Sequence, residues 1–238
     1  HPCCIQHETP DGHPERSDRL THLLTYLTNT GFTQDHPVTE APPIEATKIA
    51  QAHHPNLLER LAQSVPEHGL TSLDQDTWMG SSSLLAALQA AGSVWQGVID
   101  VVAGAETRVF CAVRPPGHHA EFDCPMGFCL LNSVAIAAIN SLNLPDVERV
   151  AILDFDVHHG NGTQGIFYDR DDVLTVSLHG DPATFYPYFS GYAEETGRGA
   201  GTGFNLNLPQ PRGTGDDRFL AALEGALNRV ADFKPDIL

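Results

Sequence analysis

Hydrophobic and polar residues alternate differently in the two parts of this chain. Up to about residue 107, apolar residues recur at helical spacing, and beyond it short β-branched runs alternate with helical segments. The pattern predicts helices at residues 20–28, 44–52, 55–63, 81–103, 132–142, 164–168 and 219–230. It predicts buried strands at residues 108–113, 150–155 and 173–178, a strand that begins at residue 235, and a long Gly-rich loop at residues 191–211.

Strands that alternate with helices are typical of a parallel sheet covered by helices on both faces. We therefore expect an α/β fold, in which ligands bind in the loops at the carboxyl ends of the strands. The 238 residues suffice for one sizeable domain or two small ones, and 41% of them are hydrophobic, which is enough for a core. No apolar run reaches the length that a membrane span needs.

The charge balance limits the partners. Thirty acidic residues against 13 Lys and Arg give a net charge of −17, which repels nucleic acid and anionic membranes and attracts a cationic substrate. Adaptation for solubility explains the same charge at least as well. The five cysteines include no CxxC pair, so they indicate neither a disulfide framework nor a zinc ribbon. We expect a reducing, cytoplasmic setting.

The densest polar cluster, DFDVHHGN at residues 154–161, follows the predicted strand at residues 150–155. Asp154 and Asp156 share one face of that strand, and His158 continues in the same direction. Charges at the mouth of an apolar strand are costly unless an ion compensates them. Carboxylate and imidazole together suit Zn²⁺ or a similar divalent ion, and a catalytic zinc needs three protein ligands. This motif supplies two, so the third must come from elsewhere.

A second cluster, RPPGHHA at residues 114–120, follows the predicted strand at residues 108–113. Its two prolines and its glycine fix a rigid turn. Adjacent histidines on a rigid loop beside a metal suit general base and general acid catalysis. His118 and His119 would each need a carboxylate or amide that sets the tautomer, and Asp154 and Asn161 are the candidates.

A third and weaker signal is aromatic. Phe128 after Gly127, and Tyr186 on another loop, would suit a narrow slot for an alkyl chain. Taken singly, each signal has an ordinary interpretation: Asp-x-Asp is usually a turn, a His-His pair is usually on the surface, and lone aromatic residues are usually core. Two His/Asp clusters at two strand ends of one predicted sheet nevertheless favour a metal hydrolase.

Four strings, RPPGHHA, MGFCLLNSVAIAA, ILDFDVHHGNGTQGIFY and VLTVSLHGDP, resemble the histone deacetylase superfamily in order and in spacing, and HPERSDRL is similar to its N-terminal signature. The resemblance runs from about His13 to Leu238. It implies one arginase-like three-layer α/β domain with an eight-stranded, mainly parallel sheet between helices. It also implies zinc-dependent hydrolysis of N-acetyl amides. The stretch after residue 178 is more similar to bacterial acetylpolyamine amidohydrolases than to the nuclear enzymes.

The resemblance implies one Zn²⁺ held by Asp156 and His158. A monovalent cation, usually K⁺, is implied near Asp154, Asp156, His158 and Ser177. The expected substrate is a cationic acetylated small molecule or an acetyl-lysine protein, with no nucleic acid and no membrane as partner. Assembly into a homo-oligomer is left open.

The resemblance also implies roles in proton transfer and substrate binding. His119 would be the general base, acting with His118, while Asp154 would orient His118 and Asn161 would stand behind His119. The residues that would form the walls and rim of the acyl-lysine tunnel are Gly127, Phe128, Tyr186 and Asp76.

The family pattern is incomplete in this chain. In the family, an aspartate that is the third metal ligand, and a tyrosine that polarises the acetyl carbonyl, follow the strand that begins here at Pro235. We therefore expect residues 1–238 to be a catalytic domain without its C-terminal part, and to be inactive alone. Three alternatives stay open: an arginase-type dinuclear manganese hydrolase, a hydrolase of another amide, and an inactive acyl-ligand binding module.

Overall fold

The computed structural model describes residues 1–238 and divides them into two compact units, His1–Ala137 and Ala138–Leu238. The first unit is mainly helical, and the second contains a parallel sheet. One domain over the whole chain stays a prediction.

Helices dominate the first unit. They are α1 (Ser17–Asn29), α2 (Phe32–Asp35), α3 (Ala46–Ala52), α4 (Pro55–Gln63) and α5 (Ser83–Val102), and α6 (Ser133–Ser141) begins there. A short antiparallel pair joins β1 (Thr71–Ser72) to β2 (Trp78–Met79), and Pro2–Cys4 forms a 3₁₀ turn. The helices predicted in this part are confirmed to within two residues at most ends, because their apolar spacing matches the face that they bury.

Helix α5 is the longest element and is built mainly from small apolar residues. Contrary to the expectation from the sequence, its length and composition alone would allow it to cross a membrane, but core helices of soluble proteins pass the same test, so this is weak support for a span. Its buried residues include Ala86, Ala87, Ala90 and Ala91. A backbone segment approaches so closely at Gly92 that a β-carbon there would lie 2.8 Å from the amide nitrogen of Ile44. The helix is therefore packed tightly within its own unit.

The second unit contains three parallel strands in the order β3 (Val150–Asp154), β4 (Val173–Gly180) and β5 (Asn205–Gln210). Helix α7 (Asn161–Phe167) connects β3 to β4, α8 (Asp216–Phe233) follows β5, and Gly199–Gly201 forms a 3₁₀ turn. Ile237 pairs with Val150 in a parallel bridge, as the strand predicted from residue 235 requires. The predicted parallel α/β architecture is confirmed.

Strand β4 is buried along its whole length and separates two environments. Leu174, Val176 and Leu178 join a hydrophobic cluster with residues of α8. The alternate residues Thr175, Ser177 and His179 make polar contacts. Since side chains of a strand point alternately to its two faces, one face of β4 forms core and the other can carry chemistry.

Two predictions about elements are wrong. Residues 108–113 form no strand, because no strand of the structure pairs with them, and Phe110 is 67% exposed. The predicted loop at residues 191–211 contains β5, whose two buried asparagines concealed its strand character. The resemblance implied eight strands in the main sheet, whereas this chain contributes three and one bridge.

Candidate active site

The histidine pair lies on a loop whose first residue is anchored in the first unit. Arg114 is buried, and its Nε and Nη2 donate to the two carboxylate oxygens of Glu15 at 2.5 and 2.7 Å. The peptide bond from Arg114 to Pro115 is cis. The rings of His118 and His119 are tilted against each other with centroids 4.1 Å apart, and His119 is only 4% exposed. The predicted base is thus a shielded imidazole on a constrained loop.

The Gly127–Phe128 turn packs directly against the ring of His119. A β-carbon at Gly127 would lie 2.6 Å from Cγ of His119, and Gly127 has a φ of +56°. The close approach of the ring excludes a side chain, and the positive φ favours glycine. Phe128 also has a positive φ, +70°, and its backbone N–H donates to Oγ1 of buried Thr77 at 3.0 Å. One turn therefore carries the predicted wall residue, Phe128, and contacts the predicted base, His119.

Asp76 belongs to the same cluster. Oδ1 of Asp74 accepts hydrogen bonds from the backbone N–H groups of Asp76 and Thr77 at 2.9 and 2.6 Å. Burial, and then the neighbouring Asp74 carboxylate, raise the pKa of Asp76 above its usual value. His13 joins this group, because its Nε2 lies 3.0 Å from the Asp76 carbonyl oxygen and its ring packs edge-on against Phe128 at 4.7 Å.

His53 holds the far part of the histidine loop. It is fully buried, with Nδ1 2.8 Å from the carbonyl oxygen of Glu121, and Nε2 accepts from the backbone N–H of Asn132 at 2.9 Å. A ring that donates at Nδ1 and accepts at Nε2 is neutral, and burial indeed lowers the pKa of His53. The contacts of His53, Glu15 and Arg114 could not be predicted from the sequence, since they join segments far apart in the chain.

In the second unit, the strand-end cluster folds into successive turns. Oδ1 of Asp154 accepts from the N–H of Asp156 at 3.0 Å, and Oδ1 of Asp156 accepts from the N–H of His158 at 2.8 Å. Nδ1 of His158 lies 3.2 Å from the same Asp156 oxygen. The two side chains form a hydrogen bond at this separation, which is also compatible with a shared metal, because two ligands at about 2.0–2.1 Å in tetrahedral geometry lie roughly 3.3 Å apart. The structure contains no cluster of three or more His, Cys, Asp or Glu residues placed to hold a metal.

Ser177 lies opposite Asp154 in the register of β3 and β4, and both line a cavity of about 10 Å³. Oγ of Ser177 lies 2.8 Å from Nδ1 of His179, whose Nε2 lies 2.8 Å from the carbonyl oxygen of Gly191. Burial lowers the pKa of His179, so a neutral ring donates to Gly191 and accepts from the serine hydroxyl. The serine oxygen then keeps lone pairs for another donor or a cation. Oxygen ligands of this kind suit a hard cation such as K⁺.

Gln164 is the centre of a buried hydrogen-bond network in α7. Its Oε1 accepts from Asn205 and Asn207 at 2.9 and 2.8 Å, and lies 3.1 Å from Nε2 of His159. Its Nε2 donates to Oε2 of Glu195 at 2.7 Å. Asn161, the first residue of α7, is also buried. This network fixes the loop that follows the predicted metal-ligand motif to β5.

Tyr186 lies beside the predicted zinc ligand His158. The two rings are perpendicular, with centroids 6.1 Å apart, and Tyr188 is a further ring at 6.3 Å from Tyr186. Within each unit, then, predicted residues come together: Asp76, His118, His119, Gly127 and Phe128 in the first, and Asp154, Asp156, His158, Ser177 and Tyr186 in the second. The pairings of Asp154 with His118 and of Asn161 with His119 stay predictions.

Comparison with known proteins connects both groups to one family. Residues 13–238 match the family model described as the histone deacetylase domain. A histone deacetylase-like amidohydrolase of Pseudomonas aeruginosa is 38% identical over 235 residues, which are 98% of this chain and 61% of that protein. Acetylpolyamine amidohydrolase 1 of the same organism is 50% identical over 163 residues, which are 68% of this chain and 44% of that protein.

The fold agrees with this similarity. The crystal structure of an acetylpolyamine aminohydrolase from Burkholderia pseudomallei superposes with a TM-score of 0.88 at 32% identity, and covers all of this chain and 79% of that one. The chain therefore spans about three fifths or less of the length of the two Pseudomonas relatives, and 79% of the length of the solved structure.

Proposed function

Because the chain belongs to the histone deacetylase family, we propose that the protein hydrolyses N-acetyl amides and releases acetate and a free amine. The observation that carries this proposal is the Asp156–His158 pair, whose oxygen and nitrogen lie 3.2 Å apart at the end of β3. A carboxylate and an imidazole supply two of the three protein ligands that a catalytic zinc takes, and their separation is compatible with a shared metal.

We assign Zn²⁺ ligation to Asp156 and His158, with the third protein ligand from outside this motif. When bound, zinc lowers the pKa of a water molecule and stabilises negative charge on the acetyl oxygen. The turn that donates the His158 N–H to Asp156 fixes the carboxylate before any metal arrives, which reduces the entropy lost on binding. K⁺ near Asp154 and Ser177 is part of the same proposal.

His119 takes the proton from the attacking water and transfers it to the leaving amine, with His118 as its partner in this proton transfer. Its burial supports the assignment, because a shielded imidazole exchanges its proton with the reactants rather than with bulk water. Contact with the Gly127 turn keeps the ring in one position.

The proposed substrates are acetylpolyamines or acetyl-lysine side chains, which share an acetamide on a slender alkyl chain. Phe128 and Tyr186 would contact the chain, and Asp76 would bind its N–H or cationic end at the rim. The net charge of −17 supports attraction of a cation, and the Pseudomonas relative named for acetylpolyamines supports the small-molecule class. A cytoplasmic, reducing setting stays a prediction. Formation of a homo-oligomer stays open.

The test is turnover of acetylputrescine and an acetyl-lysine peptide by the full-length protein, before and after chelation and with zinc added back. Zinc-dependent release of acetate is expected. Binding of two metals per site by titration would favour the arginase-type hydrolase instead. Tight binding of acetylated ligands without turnover by the full-length, zinc-loaded protein would favour the inactive binding module.

A further inference from the structure

A buried ion pair holds the first residue of the histidine loop and takes no part in the proposed chemistry. The side chain of Glu15 is 0% exposed and that of Arg114 4%, and the guanidinium binds both carboxylate oxygens as a fork. The third guanidinium nitrogen, Nη1, donates to the carbonyl oxygen of Cys4 at 2.9 Å. A fork geometry fixes the plane of the guanidinium as well as its position.

The loop transmits that orientation with little freedom. Arg114 precedes Pro115 and Pro116, whose rings fix φ, and a residue before proline is itself restricted. Gly117 packs against backbone, since a β-carbon there would lie 2.9 Å from the carbonyl oxygen of Leu131. The chain therefore has few soft torsions between the ion pair and His118–His119.

Glu15 also reaches the opposite side of the cluster through its backbone. Its N and O atoms lie 3.1 and 2.8 Å from Nδ1 of His13. The other nitrogen of His13 contacts the Asp76 carbonyl, and the ring packs on Phe128. One residue thus holds the base loop with its side chain and the rim and wall residues with its main chain.

The surroundings of Glu15 keep the pair matched in charge. His7 lies 3.6 Å from the carboxylate, but burial lowers the pKa of His7 to about 4, so it is neutral near pH 7. Arg19 lies 3.7 Å away and is largely exposed. Arg114 is therefore the principal charge that compensates Glu15.

We propose that the Glu15–Arg114 pair positions the general base relative to the substrate wall, so that its fork geometry sets kcat. This inference rests on the proposed function, because it takes His119 as the base. Glu15 and Arg114 are positioning residues and touch no reacting atom.

The test uses three variants of the full-length, zinc-loaded protein. Arg114→Lys keeps the positive charge but loses the fork, and the double variant Glu15→Gln/Arg114→Met removes both charges, so neither is left buried alone. The matched control is Arg198→Gln, which breaks an equally bidentate but exposed pair with Asp169, at 2.7 and 2.6 Å. Zinc content, circular dichroism, kcat and KM on acetylputrescine are measured for each.

We expect kcat to fall about 10- to 100-fold in both pair variants, with KM within about threefold and full zinc content, since a displacement near 1 Å costs roughly that much in rate. The control should match the wild type. A folded, zinc-loaded Arg114→Lys with wild-type kcat would overturn the proposal. If the double variant does not fold, Arg114→Lys decides the question by itself.

Failure of the proposed function has a different signature. If the wild type itself shows no turnover, the imidazole NMR resonances of His118 and His119 still report on positioning. Shifted resonances in Arg114→Lys, but not in Arg198→Gln, would support the positioning role. Unshifted resonances in both would overturn it.

Discussion

The two histidine-bearing segments are held in place in different ways. The loop at residues 114–121 is fixed by partners far away in sequence: Glu15 lies 99 residues before Arg114, and His53 lies 68 residues before Glu121. The turn at residues 154–158 is fixed locally, because Asp154 and Asp156 each accept from the N–H two residues later. His119 is 4% exposed, whereas the side chains of Asp156 and His158 are 50% and 39% exposed.

The difference matches the proposed roles. A proton carrier works only at one place and orientation, so its loop needs support from several directions. A pair of metal ligands can be preorganised by its own turn, and its free energy of metal binding completes the geometry. Substitutions remote from the site should therefore affect proton transfer more than zinc binding.

The largest expected effect is loss of zinc binding after a substitution in the turn at residues 154–158. Asp156→Ala in the full-length protein should abolish stoichiometric zinc binding and all measurable deacetylation, because one of two ligands and the support of His158 are lost together. Zinc content by atomic absorption is the measurement. Asp181→Ala is the control, since Asp181 also accepts an N–H two residues later, from Ala183, but belongs to no site. Stoichiometric zinc in Asp156→Ala would show that the ligand assignment is wrong.

The next largest expected effect is a loss of kcat without a loss of zinc, which would distinguish the histidine loop from the turn at residues 154–158. His119→Ala should retain zinc and lose roughly 10²–10⁴-fold in kcat, the usual contribution of a general base. The measurement is kcat at neutral pH with zinc content determined on the same sample. A near-normal kcat would place the base elsewhere, and loss of zinc would mean that the two segments are less independent than proposed.

A smaller effect tests the contact between the base and the wall. Gly127→Ala should reduce kcat about tenfold or more and destabilise the fold by about 2–3 kcal/mol, because the new β-carbon meets the ring of His119 at a positive φ. Gly213→Ala is the matched control: its φ is +82° and nothing lies within 4 Å of the added carbon, so it carries backbone strain alone. Equal urea midpoints and equal kcat for the two variants would contradict the contact.

The smallest effect on turnover is expected from His7, which should act only on the free energy of unfolding, as a pH dependence in the first unit. Burial lowers the pKa of His7 from 6.5 to about 4, so unfolding takes up a proton between those two values. Stability is then complete above pH 6.5 and falls by about 3 kcal/mol as the pH drops towards 4. Urea unfolding at pH 7 and pH 4.5 measures the slope. His7→Gln should have a shallower slope, and an unchanged slope would assign the acid sensitivity to other groups.

The same contrast explains what could be predicted from the sequence. The turn that carries the proposed metal ligands lies in five consecutive residues, 154–158, so the sequence predicts its Asp-x-Asp and its histidine, as well as the strand that precedes it. The contact between Glu15 and Arg114 could not be predicted, because an ion pair across 99 residues leaves no periodic or spacing signal in the sequence. Strand β5 was missed for a related reason: Asn205 and Asn207 are poor strand formers alone and become acceptable only through their bonds to Gln164.

The Gln164 network also limits the order in which this sequence can change over evolutionary time. A single nucleotide separates a glutamine codon from a glutamate codon, so Gln164→Glu can arise in one mutational step. In this fold it would replace the N–H donor of Gln164, now 2.7 Å from Oε2 of Glu195, with a second carboxylate oxygen, and a buried negative charge would face a partly exposed one. The exchange becomes tolerable only after Glu195 has changed. The residue at position 195 therefore determines which substitutions are tolerated at position 164, and the reverse also holds.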